Sequence, residues 1–163
     1  MAFTTHVLVV ANRTVDSPEL LDALRERAQR GPIHVTLLAP TAWSDRDHAE
    51  QRLAAAVAAL AEADVRAVGM LADADPIVAV QEAWNPGRYD EVVVSTLTAG
   101  ASQWLQIDLP HRVARLTDCQ VRHVAVPVHH VEARPPAPPR PRRSMLESAL
   151  SLMRSGTQRS RAA

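Results

Sequence analysis

Two short stretches of this chain carry side chains able to hold an anion. Asn12, Arg13 and Thr14 follow one apolar run, and Ser95, Thr96, Thr98, Gly100 and Ser102 follow another. Hydroxyls and backbone N–H groups donate to phosphate oxygens, and a guanidinium neutralises the charge it clamps. These eight residues form the candidate set for binding a ligand or cofactor. No comparable set points to catalysis, because Ser17, Ser95 and Ser102 lie outside any G-x-S-x-G elbow. His123 and His129 alternate onto one side of an extended segment with His130 beside them, but no carboxylate stands at a spacing that completes a metal site. No catalytic residue and no metal ligand is assigned.

All 18 basic residues counted as Lys plus Arg are arginines. A P-loop lysine and a Schiff-base lysine are therefore excluded, and two large enzyme classes go with them. Cys119 is the single cysteine, which excludes an intrachain disulfide and a thiolate-rich zinc cage, so packing is its expected role. Residues 1–133 hold 11 arginines against 17 carboxylates, while residues 134–163 hold 7 arginines against Glu147 alone. The body is acidic and the tail basic. Aromatic residues make up 3% of the chain, so the core must be aliphatic, with Trp43, Trp84 and Trp104 as its few large anchors. No apolar run approaches the ~20 residues of a membrane span, and the first residues lack a signal-peptide pattern, so a cytoplasmic protein is expected.

The elements that must position the candidate residues alternate. Apolar, β-branched runs at 6–11, 33–39, 65–71, 90–95 and 121–126 read as strands buried on both faces. Between them, Ser17-Pro18 caps a first helix with Leu20, Leu21, Leu24 and Ala28 inward, ended by Gly31-Pro32. Ser44 with Asp47 reads as a capping box before Ala49, Leu53, Ala56, Val57 and Leu60. Asp75-Pro76 opens a third helix carrying Ile77, Val80 and Trp84. Asp108 caps a fourth with Leu109, Val113 and Leu116 inward, which leaves His111 and Arg112 on its exposed side rather than acting as base and anion clamp. Trp104, Leu105, Ile107 and Leu109 form an apolar plug. Alternating strands and helices predict an α/β fold with a parallel sheet and helices on both faces. Residues 1–131 form this domain, 132–143 a Pro/Arg-rich linker, and 144–163 a basic amphipathic tail with a short helix capped by Ser144 and Glu147.

The pieces "VLVVANRT", "VTLLAP", "ADADPIVAVQEA", "YDEVVVSTLT" and "CQVRHVAVP", in this order over residues 6–127, resemble the universal stress protein superfamily, and the combination of "ANRT", "RGPIHVTLLAP" and "STL…WL…DLPHRV" looks most like an actinobacterial branch of it. The resemblance implies a doubly wound five-stranded sheet of order 3-2-1-4-5 and a homodimer joined through the last strand. Nucleotide-binding members carry a loop G-x2-G-x9-G-[ST] after the fourth strand. Counted from Ser95, its positions fall on Ser95, Thr98, Asp108 and Leu109, none of them glycine. The family aspartate that contacts the nucleotide falls on Asn12.

That strand order places the loops after the first and fourth strands at a topological switch point, where open α/β sheets take ligands. Two readings compete for the hydroxyls there: donation to an anion, or satisfaction of their own loop backbone, with Asp108 already supplying negative charge at the fourth helix. The expected function is a noncatalytic binding or regulatory module in stress adaptation, with no cofactor assigned. One alternative is a protein binding ATP or another adenine nucleotide, with slow hydrolysis carried by Arg13, Thr14, Ser95, Thr96 and Ser102. Another is an adaptor whose residues 134–163 meet a protein partner or an anionic membrane surface. Without interleaved aromatics, that tail is not expected to bind nucleic acid specifically.

Overall fold

The computed structural model describes residues 3–98, 104 and 107–128. Five strands form one parallel sheet: β1 (Thr5–Val10), β2 (Ile33–Pro40), β3 (Arg66–Ala72), β4 (Glu91–Leu97) and β5 (Val121–Val126). Their order is β3-β2-β1-β4-β5, as the resemblance implies. Helices α1 (Pro18–Gln29) and α2 (Arg46–Ala61) pack on one face, and α3 (Pro76–Ala83) and α4 (Leu109–Thr117) on the other. The linker, the tail, the boundary at 131, and Gly100, Ser102, Leu105, His129 and His130 lie outside the described residues.

Strand alternation sorts the core into two layers. Val7 and Val9 of β1, with Val35 and Leu37 of β2, join Leu20 and Leu24 of α1 and Leu53 and Leu60 of α2. Leu8, Val10, Leu38, Val92 and Val94 meet Ala79 and Val80 of α3 and Leu109 and Val113 of α4. Burying each large aliphatic side chain contributes roughly 1.5–3 kcal/mol. Polar clamps then fix the strand ends. Asp90 accepts from the His6 amide at 2.8 Å and donates its own amide to the His6 carbonyl at 2.9 Å, tying the entry of β4 to β1. Arg27 of α1 holds Glu91 through Nε at 3.1 and 3.0 Å and through its terminal nitrogen at 2.6 Å, and this bond raises the guanidinium's proton affinity further.

Helix starts follow the expected chemistry where a proline sets φ. Ser17 accepts from the Leu20 amide at 3.4 Å, and Asp75 accepts from Ile77 at 2.8 Å. Gly31, at φ 153°, ends α1 in a conformation that side chains disfavour.

Four expectations are corrected. Ser44 does not cap α2: it lies in a 3₁₀ turn, Trp43–Asp45, and α2 starts one residue later without a side-chain cap. Asp108 adopts left-handed backbone and spends its carboxylate on His111 Nδ1 at 2.7 Å rather than on the helix amides. Trp43 is 84% exposed, lying under the Arg46 guanidinium, so only Trp84, stacked on Tyr89, and Trp104 pack against the core. Finally, β3 and β5 are the sheet edges and are largely exposed, so burial on both faces holds only for the inner strands β1, β2 and β4.

Candidate functional site

Strand order reverses between β1 and β4, the two strands whose C-terminal ends carry the candidate residues. Beyond Val10 the Ala11 amide makes one more sheet bond, to Leu38, and the chain then turns tightly. Val15 donates to the Asn12 carbonyl at 3.2 Å and Ser17 to that of Thr14 at 3.1 Å, delivering the chain to the α1 cap. The loop after β4 is held at its start, where Thr98 donates its amide to Val126 at 2.9 Å.

Asn12 is braced on both sides of its amide. Its Nδ2 donates to the Pro40 carbonyl at 2.7 Å, and its Oδ1 accepts from Arg52 of α2 at 3.0 Å. The Arg52 guanidinium, with its side chain 19% exposed, also reaches Asp45 Oδ2 at 3.1 Å. One arginine thus joins the exits of β1 and β2 to the 3₁₀ turn. An asparagine here can be bonded by a cation through its oxygen while its nitrogen serves a carbonyl, a division of labour closed to an aspartate.

Thr14, buried, donates its hydroxyl to the Ser95 carbonyl at 3.2 Å and so stitches the two loops across the switch point. The Ser95 hydroxyl, fully buried, has no hydrogen-bond partner among the described residues, and neither does Arg52 Nε. An unsatisfied buried hydroxyl costs about 1–3 kcal/mol, so its presence at a loop junction needs a cause. Neither hydroxyl therefore satisfies its own loop backbone: that of Thr14 bonds the other loop, and that of Ser95 has no partner among the described residues.

Arg13 is exposed at the same turn and forms no ion pair among the described residues. Thr96 faces away from Ser95 by strand alternation, and its buried hydroxyl lies 2.8 Å from His123 Nε2 on β5. Burial pushes the His123 imidazole down from its ordinary value. Thr98 is exposed. Asn12, Arg13, Thr14 and Ser95 are thus brought together, while Thr96 serves the β4–β5 junction. His111 and Arg112 are exposed on α4, opposite buried Val113. Cys119 packs against the α3/α4 layer, where burial pushes its thiol up. Among the described residues no three His, Cys, Asp or Glu side chains cluster as for a metal ion, and no helix is long and apolar enough to cross a membrane.

Sequence reasoning missed Arg52 and Asp45. The signal was present: Arg52 stands three residues after Ala49 and four before Ala56, inside the stripe that α2 buries. A charge at a stripe position requires a partner, and Asn12 with Asp45 provides it.

No protein-family model matches the chain, and no curated protein matches it in sequence. Solved structures do match. A universal stress protein from Archaeoglobus fulgidus in complex with dAMP superposes with a TM-score of 0.56 at 14% identity, covering 76% of this chain and 99% of that one. Another structure of a universal stress protein from Archaeoglobus fulgidus gives a TM-score of 0.51 at 17% identity, over 74% and 93% of the two chains. A universal stress protein in complex with cAMP gives 0.55 at 17% identity, over 77% and 98%. The chain has the universal-stress-protein fold, five parallel strands in the order 3-2-1-4-5 between two helical layers.

Proposed function

We propose that this chain is a noncatalytic, ligand-responsive module of the universal-stress-protein kind whose switch-point crevice takes an adenine mononucleotide with a single phosphate. The observation that carries the reading is the buried, unpartnered Ser95 hydroxyl at the end of β4, on the carbonyl of which Thr14 closes the β1 loop. A ligand polar group would supply the missing partner, and because the Ser95 side chain is fully buried the Thr14–Ser95 stitch must part to admit it. Asn12 is held by Pro40 and Arg52 before any ligand arrives, which limits the ordering cost of binding. Arg13 offers an exposed guanidinium to a phosphate at the same turn.

Two lines support one phosphate rather than three. The chain has no lysine and no glycine at the family's phosphate-loop positions, so close backbone approach to a triphosphate is sterically limited. The two ligand-bound structures of like fold carry dAMP and cAMP. A noncatalytic role is favoured because the hydroxyl–imidazole pair of Thr96 and His123 has no third group orienting the ring among the described residues. A part in stress adaptation rests on the fold likeness.

The test is a thermal shift of the full chain with AMP, cAMP, dAMP and ATP, the wild type beside Ser95→Val. At 100 times its Kd a ligand stabilises by roughly 2.7 kcal/mol. The monophosphates are expected to stabilise the wild type and not the variant, and ATP to do no better than AMP. A folded wild type that responds to none of them at millimolar concentration would overturn the proposal. A response to ATP alone would replace it with triphosphate binding.

A further inference from the structure

The solvent side of α2 is not polar where that of a surface helix should be. Residues 53–61 read LAAAVAALA, nine positions without a charged or hydrogen-bonding side chain, and Ala54, Ala58 and Ala61 among them are exposed. A helix that is apolar on every side is one that something covers. An open groove runs the length of α2, from these alanines, Leu53 and Val57 across to Gly69, Met70 and Leu71 of β3. Arg46 and Glu50, paired at 3.4 Å, line the end where α2 begins.

We infer that residues 144–155 of the same chain dock in this groove as an amphipathic helix. Leu146, Ala149, Leu150 and Met153 stand at i, i+3, i+4 and i+7, the spacing by which a helix lays one face into an apolar groove. A helix of about 11 residues is marginal alone in water, so this segment needs a surface to fold on. Charge selects which surface. Residues 44–90, which build α2, β3 and α3, hold nine carboxylates against four arginines, nearly all of the acidic excess in residues 1–133. Asp47 lies in the first turn of α2 and Glu62 and Asp64 just past its end, and none of the three makes an ion pair among the described residues. The tail repeats this order with opposite sign: Arg142 and Arg143 precede its apolar face, and Arg154 and Arg159 follow it. A groove that runs acidic, apolar, acidic thus meets a segment that runs basic, apolar, basic.

The linker is long enough to deliver it. The described chain leaves the sheet at Val128, past the end of β5, and β3 lies four strand spacings away, about 19 Å. Residues 129–143, with five prolines between 135 and 141, extend ~46 Å as polyproline II, enough to cross the sheet and descend beside α2. A tether of this kind holds the helix at roughly millimolar effective concentration, so a contact too weak to join two molecules is still occupied within one. The flank of β5, nearer to the linker, is the poorer seat, because it exposes Arg122 and His123 to a basic segment. The inference is independent of what the crevice binds.

Hydrogen exchange of the full chain, read by mass spectrometry, tests it. The amides of 145–155 are expected to exchange at least about tenfold more slowly than in a synthetic peptide of residues 144–163, and equally so at about 2 and about 50 μM chain. Ala58→Arg puts bulk and a like charge into the groove and should abolish this protection, while Gln51→Arg, the same charge on α2 outside the groove lining, should leave it. Leu150→Asp removes the apolar face from the tail and should abolish it as well, with the exchange of residues 5–126 unchanged, so the loss is separable from unfolding of the domain. Exchange of the segment at the peptide's rate in the wild type overturns the inference, also where vesicles containing phosphatidylserine then protect it. So does protection that survives Ala58→Arg. Protection that rises with chain concentration would place the tail on a second copy and overturn it too.

Discussion

Replacing Ser95 by alanine should stabilise the ligand-free protein. The Ser95 side chain is fully buried and its hydroxyl has no partner among the described residues, so folding strips it of water without compensation. A buried hydroxyl left unsatisfied costs about 1–3 kcal/mol. Removing it leaves a void of one oxygen atom, whose lost packing offsets part of the gain, and the expected net is about 1 kcal/mol in favour of Ser95→Ala. The Thr14 hydroxyl bonds the Ser95 carbonyl, not its side chain, so the stitch between the loops survives the substitution. For a domain of this size 1 kcal/mol moves Tm by roughly 3–5 °C. Calorimetry and urea titration without nucleotide measure it. The same variant should lose most of any stabilisation by AMP, because stability and binding then draw on one atom in opposite directions. A Ser95→Ala protein less stable than wild type would refute the reasoning, since it would mean that the hydroxyl is satisfied in the free protein.

Three further outcomes are expected. A double-mutant cycle on Arg27→Ala and Glu91→Ala should give a coupling of about 1 kcal/mol, because the bond is bidentate and half-buried; coupling below about 0.3 kcal/mol would make it a surface pair of no consequence. Burial lowers the His123 pKa in the fold, so its share of stability is complete above the unfolded value near 6.5 and is lost as pH falls through the lower folded value. Melting curves from pH 7.5 to 5 should therefore fall less steeply in His123→Gln than in wild type, and equal slopes would count against the assignment. Gly69→Ala puts a Cβ 3.1 Å from Leu53 Cβ, so α2 must lift from the edge strand. A net loss of about 1 kcal/mol is expected after the gain from a stiffer unfolded chain, and a urea titration in which Gly69→Ala matches or exceeds the wild type would contradict the contact.

What the chain reveals in advance depends on whether a feature is local. The α1 and α3 caps were legible because Ser17-Pro18 and Asp75-Pro76 write donor, acceptor and φ into adjacent residues. The Ser44–Asp47 pattern has the same letters without a proline, and there a 3₁₀ turn takes the amides first, so Asp45 is free to face Arg52. Edge exposure was hidden for a different reason. The β3 run carries one charge, Arg66, as the β4 run carries Glu91, so only the spatial order of strands shows that β3 lacks a neighbour, whereas in β5 Arg122 and His123 already break the apolar pattern. The crevice shows the limit most sharply. Asn12, Arg13, Thr14 and Ser95 could be named from sequence because they end strands, but the fate of each hydroxyl depends on side-chain alternation and on a helix 40 residues away in sequence from Asn12. Ser95 and Thr96 are neighbours of nearly the same chemistry. Alternation turns Thr96 toward His123 and satisfies it, while it turns Ser95 into the opposite layer, where no described residue answers its hydroxyl. The loop after β4 has no glycine at the family's positions, and the Ser95 hydroxyl, buried without a partner among the described residues, is the position on which the proposed binding rests.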